Sequence, residues 1–252
     1  MIASGTIDPP TYCGMFIDRL TAAIQAAAND PEVVGFKSIV CYRTGLDVSP
    51  NVYADDTERT LMMVVLRYEM TKKLRLADKP LNDMIVVTTL RIAAQCGKPG
   101  MLIQLRLCEL AGDMSGAVQF HTGLGDNDII LKLSSPSHMQ PLIKAFPQSK
   151  FVLLHSSYPY TREAGYLTAN YPNVWLDFGE VFPCLSAEGQ RNVVRQVLEL
   201  APTSKILWSS AYISKLSACR SLIDMQYSGW SLVARVVLPW IDSGSRGSLR
   251  CV

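Results

Sequence analysis

Five short runs of apolar and β-branched residues recur along this chain, and each one ends in polar or small residues. The runs are residues 33–41, 118–121, 151–155, 174–178 and 205–209. A strand that is apolar along its whole length is buried on both faces, as in a parallel sheet covered by helices. Because helical patterns separate these runs, the sequence predicts a parallel α/β fold.

Periodic apolar residues predict the helices between these runs. The segments 15–29 and 188–200 place apolar side chains three and four residues apart, which is the spacing of one helix face. The segment 54–98 is long enough for two helices, and we expect a break near Asp78-Lys79-Pro80 because proline cannot continue a helix. A further short helix is predicted at 138–146.

Composition excludes several functional classes. The chain has 252 residues, 48% of them hydrophobic, which is enough to bury the core of one large domain or two small ones. Its 24 basic and 22 acidic residues are well mixed and give a formal charge of +2, so neither nucleic acid nor a membrane is an expected partner. We find no membrane-length apolar stretch, no secretory leader and no CxxC pair among the seven cysteines, and expect a cytoplasmic protein.

Two histidines close successive predicted strands. His121 ends one run and precedes the turn-rich loop 122–128, while His155 ends the next run. In a parallel barrel the C-terminal ends of the strands form the active-site rim, where side chains on adjacent strands lie close together. The pair therefore predicts a site that ligates one metal ion or frames one substrate, although a lone strand-end histidine is commonly structural. His138 lies in a polar segment and is interpreted as a surface or capping residue.

Basic residues accompany the first run. Lys37 interrupts an apolar strand, and a buried lysine must find an anion or a polar cavity because an unpaired buried ammonium is costly. Lys37 either points into the barrel mouth, where it is a catalytic candidate, or extends its apolar stem toward the helix layer. Arg43, in the following loop, can bind a carboxylate through two parallel hydrogen bonds and is a candidate for substrate binding.

Acidic and aromatic residues complete the candidate set. Asp177 and Glu180 end the fourth run, where either one can orient a histidine, bind substrate or cap a helix, and Glu180 is the one that we select as catalytic. Asp126, in the loop GLGDND, and Tyr158, which follows the second strand-end histidine, are the remaining candidates for substrate binding. The loop contains no GxGxxG or GxxxxGK pattern, so the sequence predicts no nucleotide site.

Three regions of the chain depart from the strand–helix rhythm, and the expected barrel domain spans residues 1–210. One helix precedes the first run, so we expect a truncated barrel that begins in mid-fold, without its opening strands. Residues 100–117 place eighteen residues between a helix and a strand, where two to six are usual, and are interpreted as an insertion, with a surface hairpin or an extra helix as the alternative. Residues 211–252 hold eight serines, five basic and two acidic residues, which predicts a divergent tail that is disordered or binds a partner.

The same residues resemble a known family. They resemble the amidohydrolase-related domain at the N-terminus of fungal FluG-type proteins, a domain that also occurs in stand-alone proteins. The segments that carry this resemblance are VVGFKSIVCYRTGLDV, VQFHTGLGDNDI, FVLLHSSYPYTREAGYLTANYPNVWLDFGEVFP and APTSKILWSS. The resemblance covers residues 15–99 and 118–210, and its most specific part is 151–183.

The resemblance implies an incomplete (β/α)8 TIM-type barrel that binds a divalent metal, with Zn²⁺ as the first candidate. In the family an HxH pair on the first strand, histidines on the fifth and sixth strands and an aspartate after the eighth hold the metal. His121 and His155 match the fifth-strand and sixth-strand histidines, and Lys37 falls on the fourth strand. The chain has no HxH, and Ala211 stands where the aspartate is expected. Whether this chain retains the metal is thus left open.

The function implied by the resemblance is hydrolysis of a C–N or similar bond of a small-molecule substrate by metal-activated water, impaired in this truncated chain. A decarboxylase-type lyase on the same scaffold is a close variant. The missing ligands instead favour a catalytically inactive barrel fragment with a binding or regulatory role, or the product of an incorrect gene model. A barrel without its opening strands exposes two strand edges, and we expect oligomerisation or poor soluble expression through them.

Overall fold

A five-stranded parallel sheet is the frame of the molecule. The computed structural model describes residues 12–30, 33, 35–95 and 116–207. Within them the strands are β1 Gly35–Ser38, β2 Ala117–Phe120, β3 Phe151–Leu153, β4 Val174–Asp177 and β5 Ile206–Leu207. Neighbouring strands are parallel and follow chain order, which confirms the predicted parallel α/β fold and is the order of a (β/α)8 barrel wall.

Helices fill the connections between the strands. They are α1 Tyr12–Asn29, α2 Ala54–Thr71, α3 Lys79–Ala93, α4 Gln140–Ala145, α5 Thr161–Asn170, α6 Val181–Cys184 and α7 Ala187–Leu200. Short 3-10 turns lie at Val40–Tyr42, Leu131–Ser134, Pro136–Met139, His155–Ser157 and Thr203–Lys205. Across the described ranges, no helix is both long and apolar enough to cross a membrane.

The helix break expected near Pro80 is present. α2 ends at Thr71, after which Lys72 takes a left-handed backbone with φ 54°. α3 begins at Lys79, after the extended residue Asp78, and carries Pro80 in its first turn. Proline fits there because the first N–H groups of a helix have no acceptor within the helix. The α2–α3 pair therefore confirms the two helices predicted in this segment.

The two faces of the sheet pack into different apolar layers. Phe120 and Leu153 join the large core beneath the helices. Val152 and Leu154, each one residue along the chain from Leu153, point to the opposite face and pack with Ala117, Leu207 and Trp175. Because the β2–β3 register pairs Phe120 with Leu153, the next residue, His121, continues onto the face that Leu154 occupies.

Several sequence predictions lie outside the described residues. Residues 100–115 of the proposed insertion, residues 208–209 of the fifth run and the whole tail 211–252 fall there. The described part resumes at Gly116, and the next residue, Ala117, opens β2 in register with Gly35 of β1. β2 thus begins one residue before the predicted start of its run.

Candidate functional site

The loops after β2 and β3 lie against each other. The hydroxyl of Thr122 donates to the Leu154 carbonyl oxygen over 2.6 Å and lies 2.7 Å from Ser157 Oγ, in fully buried surroundings. Gly123 has φ 65°, and a Cβ added there would lie 2.3 Å from the Tyr158 carbonyl oxygen. A residue without a side chain is needed for this backbone approach, which brings the two strand-end histidines together.

The backbone at His155 turns sharply at the end of β3. His155, Ser156 and Ser157 have φ values of 62°, 50° and 50°, all in the left-handed region. Each such non-glycine residue costs about 1 kcal/mol or more and persists where the surrounding packing fixes it. Residues with this backbone conformation cluster at functional sites, and these three residues lie at the predicted active-site rim.

His121 and His155 face each other through their ring nitrogens. His155 Nε2 lies 3.1 Å from His121 Nδ1, and both side chains are buried. His121 Nε2 lies 2.6 Å from the carbonyl oxygen of Leu124, which can accept but not donate a hydrogen bond. His121 therefore carries its proton on Nε2, and its Nδ1 lone pair faces His155 Nε2 across the 3.1 Å contact.

Glu180 contacts the other nitrogen of His155. Glu180 Oε2 lies 2.9 Å from His155 Nδ1, in an ion-pair contact whose N–H does not point straight at the oxygen. Contact with His155 is the main reason why the pKa of Glu180 lies below its ordinary value. A charged carboxylate, two imidazoles and the Leu124 carbonyl thus form one continuous polar chain.

His121 is neutral because it is buried. Burial is the main cause that lowers the pKa of His121 to about 3, and the nearby His155 and Lys37 act in the same direction. The hydrogen bond with the Leu124 carbonyl and the charge of Glu180 act in the opposite direction but do not outweigh burial. A neutral imidazole with an available lone pair is the form in which histidine binds metal ions.

Lys37 belongs to the same electrostatic environment. It is half-buried on β1, where it is in register with Gln119 of β2. Its positive charge lowers the pKa of both His121 and Glu180. Of the candidates selected from the sequence, the structure therefore brings Lys37, His121, His155 and Glu180 together.

Tyr42 is a site residue that the sequence did not single out. Its ring lies against His121, with ring centroids 4.3 Å apart and an angle of 47° between the planes. Burial, together with the carboxylates of Asp126 and Glu180, raises the pKa of Tyr42 well above its ordinary value, so the phenol stays protonated. The 3-10 turn Val40–Tyr42 carries it to the strand ends, and its position just after β1 is the sequence signal that indicates this place.

The side chains of Arg43, Asp126 and Tyr158 lie around the pair without bonding to either ring. Arg43 Nη1 is 3.8 Å from the Asp128 carboxylate, which also binds Arg75 at 3.1 Å. Asp126 is exposed and accepts a 2.9 Å hydrogen bond from the Asp128 N–H. Tyr158 is half-buried and packs against the main core. The Tyr158 N–H donates to the His155 carbonyl oxygen over 3.0 Å, but within the described part of the chain no side-chain hydrogen bond or ion pair joins these three predicted substrate-binding residues to the histidine rings.

The facing nitrogens fit two positions of a metal site. Zn²⁺ binds imidazole nitrogens at about 2.0–2.1 Å, so two of them on one tetrahedral ion lie about 3.3 Å apart. The observed separation is 3.1 Å. Over residues 12–30, 33, 35–95 and 116–207, no group of three or more His, Cys, Asp or Glu side chains is arranged to hold a metal ion. His138, the third histidine, contacts the Lys132 carbonyl oxygen instead. The described residues therefore supply part of a donor set.

Comparison with known proteins gives the family of this chain. The sequence profile of the amidohydrolase family matches residues 3–218, which is most of the chain. The chain belongs to the amidohydrolase family. This amidohydrolase-family chain is also 47% identical over 199 residues to protein FluG of Emericella nidulans, a match that covers 77% of this chain and 21% of FluG. The predicted family is thereby confirmed.

A solved structure has the same fold. The chain superimposes with a TM-score of 0.61 and 30% sequence identity on a protein from Lactobacillus casei ATCC 334 that is classed as a metal-dependent hydrolase. The match covers 81% of this chain and 48% of that protein. The chain therefore has a hydrolase-type scaffold and a partial (β/α)8 barrel, and it spans about half the length of the solved structure and about a fifth of FluG.

Proposed function

We propose that this chain carries a metal-dependent hydrolase centre that acts on a C–N or similar bond of a small-molecule substrate. The observation that carries the proposal is the 3.1 Å contact between His155 Nε2 and His121 Nδ1, two buried imidazoles at the ends of neighbouring strands. These nitrogens would hold a divalent metal, with Zn²⁺ as the first candidate because it favours imidazole ligands. When bound, such a metal supplies Lewis acidity and a water of lowered pKa.

Glu180 orients His155 in this proposal. A carboxylate on one ring nitrogen of a histidine fixes the tautomer and directs the other nitrogen to the site. The 2.9 Å contact between Glu180 Oε2 and His155 Nδ1 has that arrangement. Lys37 adds positive charge that stabilises the Glu180 carboxylate and any negative charge that develops on the substrate.

The residues around the histidine pair select the substrate. Arg43 is 3.8 Å from Asp128, a separation that allows a substrate carboxylate to compete for the guanidinium. The protonated phenol of Tyr42 can donate a hydrogen bond next to His121. Asp126 and Tyr158, in the loops after β2 and β3, would contact the polar part of the same substrate. We therefore propose a small substrate that carries a carboxylate.

A binding role without catalysis is the second candidate. The described residues provide two ring nitrogens, whereas a catalytic zinc site has three protein ligands and an open position. With two ligands alone, a metal is held weakly and is not fixed in one geometry. The chain would then bind a small carboxylate without converting it to product, or would regulate a partner.

Activity against defined substrates separates these candidates. The full chain, loaded with Zn²⁺, is assayed with a panel of small amides that carry a carboxylate, and amine release and CO₂ release are measured separately. We expect amine release that falls at least about 100-fold in His121→Ala and in His155→Ala. His138→Ala is the matched control, because His138 contacts Lys132 outside the pair and should keep the wild-type rate.

Each other outcome assigns a different function. CO₂ release that depends on the same two histidines would assign a decarboxylase-type lyase. Stoichiometric carboxylate binding without turnover would establish the binding role and contradict the hydrolase. A rate in His155→Ala equal to that of the wild type would contradict every function that uses the histidine pair.

A further inference from the structure

Exposed apolar side chains concentrate on one helix of this chain. Fourteen large hydrophobic side chains are exposed among the described residues, and eight of them lie between residues 53 and 74, on or next to α2. The most exposed is Met70, at 85%. Exposed apolar residues scattered singly are ordinary, but a contiguous group indicates an interaction surface.

The exposed group lies opposite the buried face of α2. Met62, Leu66 and Met70 are four residues apart and therefore form one line along the helix, beside Met63. Val64, on the other side, packs in a core cluster with residues of α1 and α3, including Leu81. We call Met62, Met63, Leu66 and Met70 the α2 stripe. α2 is thus apolar on two faces, and the described residues bury one of them.

The two ends of α2 carry opposite charges. Asp55 and Asp56 lie in its first turn, and Asp56 forms an ion pair with Arg59. Lys72 and Lys73 follow its last turn and are exposed. α2 therefore runs from an acidic end, marked by Asp55, to a basic end, marked by Lys73, with the α2 stripe between them.

We propose that the α2 stripe is the interface of a homodimer in which two copies pack their α2 helices antiparallel about a two-fold axis. In that arrangement the Asp55 end of each copy faces the Lys73 end of the other, and the apolar residues meet in the middle. A two-fold contact needs a patch that complements itself, and an apolar stripe with oppositely charged ends does so. Eighteen residues of helix give a contact about 27 Å long.

The charges select this arrangement over a parallel one. Parallel helices would set Asp55 against Asp55 and Lys73 against Lys73, and like charges placed together across an interface are unfavourable. The methionines of the stripe are flexible and fill an irregular contact well. One helix pair is smaller than the interfaces of about 1,200–2,000 Å² that hold stable complexes, so we expect a reversible dimer with a Kd in roughly the micromolar range.

Sedimentation of the full chain over a concentration series measures this Kd directly. We expect Leu66→Glu to raise the Kd about 100-fold or more, because it places a charge at the centre of the apolar contact. Leu198→Glu is the matched control, since Leu198 on α7 has the same 54% exposure as Leu66 and should leave the Kd unchanged. Met70→Glu provides a second disrupting variant, and thermal melts show that each variant is folded.

Charge reversal tests the antiparallel orientation. Asp55→Lys alone and Lys73→Asp alone should each raise the Kd, about 10-fold, because each creates like-charge pairs at both ends. Combining the two changes in one chain should return the Kd to within about 3-fold of wild type, since opposite charges again face each other.

Several results would overturn the proposal. A chain that stays monomeric up to about 1 mM has no such interface, well beyond the micromolar range expected of a specific contact. A dimer that Leu66→Glu and Met70→Glu both leave intact uses another surface, such as the strand edges. A Kd that does not change with the sign of the charges at residues 55 and 73 rejects the antiparallel pairing. A chain that stays monomeric and binds a different protein through α2 rejects the homodimer.

Discussion

The buried imidazoles of His121 and His155 lose their hydrogen bonds to water, and protein atoms must replace them. The Leu124 carbonyl takes the Nε2–H of His121, and the Glu180 carboxylate faces the outer nitrogen of His155. Each of these two outer nitrogens thus lies within 2.9 Å of an oxygen atom, which reduces the free-energy cost of burying the pair. The left-handed backbone at His155 is the conformational cost of this arrangement.

The neutral state of His121 makes the stability of the chain depend on pH. The pKa of His121 is about 3 when folded, and about 6.5 is usual in an unfolded chain. Below about pH 6.5 the unfolded chain binds a proton that the folded chain does not, so His121 lowers the free energy of unfolding as pH falls. We expect a loss of about 1.5 kcal/mol between pH 6.5 and pH 5, measured by urea unfolding.

Substitution of His121 checks this assignment. His121→Asn should remove the loss of unfolding free energy between pH 6.5 and pH 5, because asparagine does not titrate. His138→Asn should keep it, since His138 lies outside the buried pair. An unchanged pH dependence in His121→Asn would show that another group causes it.

Glu180 gives a second prediction, on metal affinity. Glu180→Gln keeps the size of the side chain but removes the charge next to His155, and we expect the Kd for Zn²⁺ to rise about 10-fold to 100-fold. Titration calorimetry on the full chain measures it. Glu163→Gln, in the first turn of α5, is the matched control and should bind as the wild type does. Equal affinities for Glu180→Gln and wild type would refute the orienting role.

At this scale the sequence predicted part of the candidate site. His121 and His155 were identifiable because each ends an apolar run, and the ends of parallel strands meet at one rim. Tyr42 was not selected, because a 3-10 turn sets its position and the only sequence signal is its place just after β1. The contact of Glu180 with His155 depends on the left-handed backbone of Glu180, with φ 67°. The sequence does not predict that conformation for a glutamate in a loop.

At the scale of elements, hydrophobic pattern predicted the strands and the long helices. All five runs contain strands, and the α2–α3 break lies where proline required one. α5 was missed because it is short and Gly165 interrupts its apolar spacing. The contact between the loops after β2 and β3, which assembles the histidine pair, depends on tertiary packing of Gly123 and cannot be derived from local pattern.

Two glycines predict opposite effects of the same substitution. Gly123→Ala places a methyl group 2.3 Å from the Tyr158 carbonyl oxygen at a φ of 65°, and we expect it to lower the free energy of unfolding by about 2 kcal/mol or more. Gly165→Ala in α5 meets Leu200 at 3.6 Å, an ordinary contact, and should raise it by about 0.5–1 kcal/mol. Urea unfolding compares both with wild type, and a neutral Gly123→Ala would contradict the close loop contact.

For the whole molecule, the comparisons and the sheet agree on an amidohydrolase scaffold. The described chain has five consecutive parallel strands, and it superimposes on a solved structure with a TM-score of 0.61, over 48% of that structure. The family's HxH pair has no counterpart in this sequence, and the described residues supply two facing nitrogens. Chain connectivity and family were thus predictable from the sequence, whereas the capacity of two histidines to hold a metal depends on geometry.

Metal content tests the central claim most directly. The full chain is purified without chelators, equilibrated with Zn²⁺, desalted and measured by mass spectrometry of the metal against protein concentration. We predict close to one Zn²⁺ per chain, retained in His138→Ala and lost in both His121→Ala and His155→Ala. No bound metal in the wild type, or the same metal content in all four proteins, would contradict a metal centre at this histidine pair.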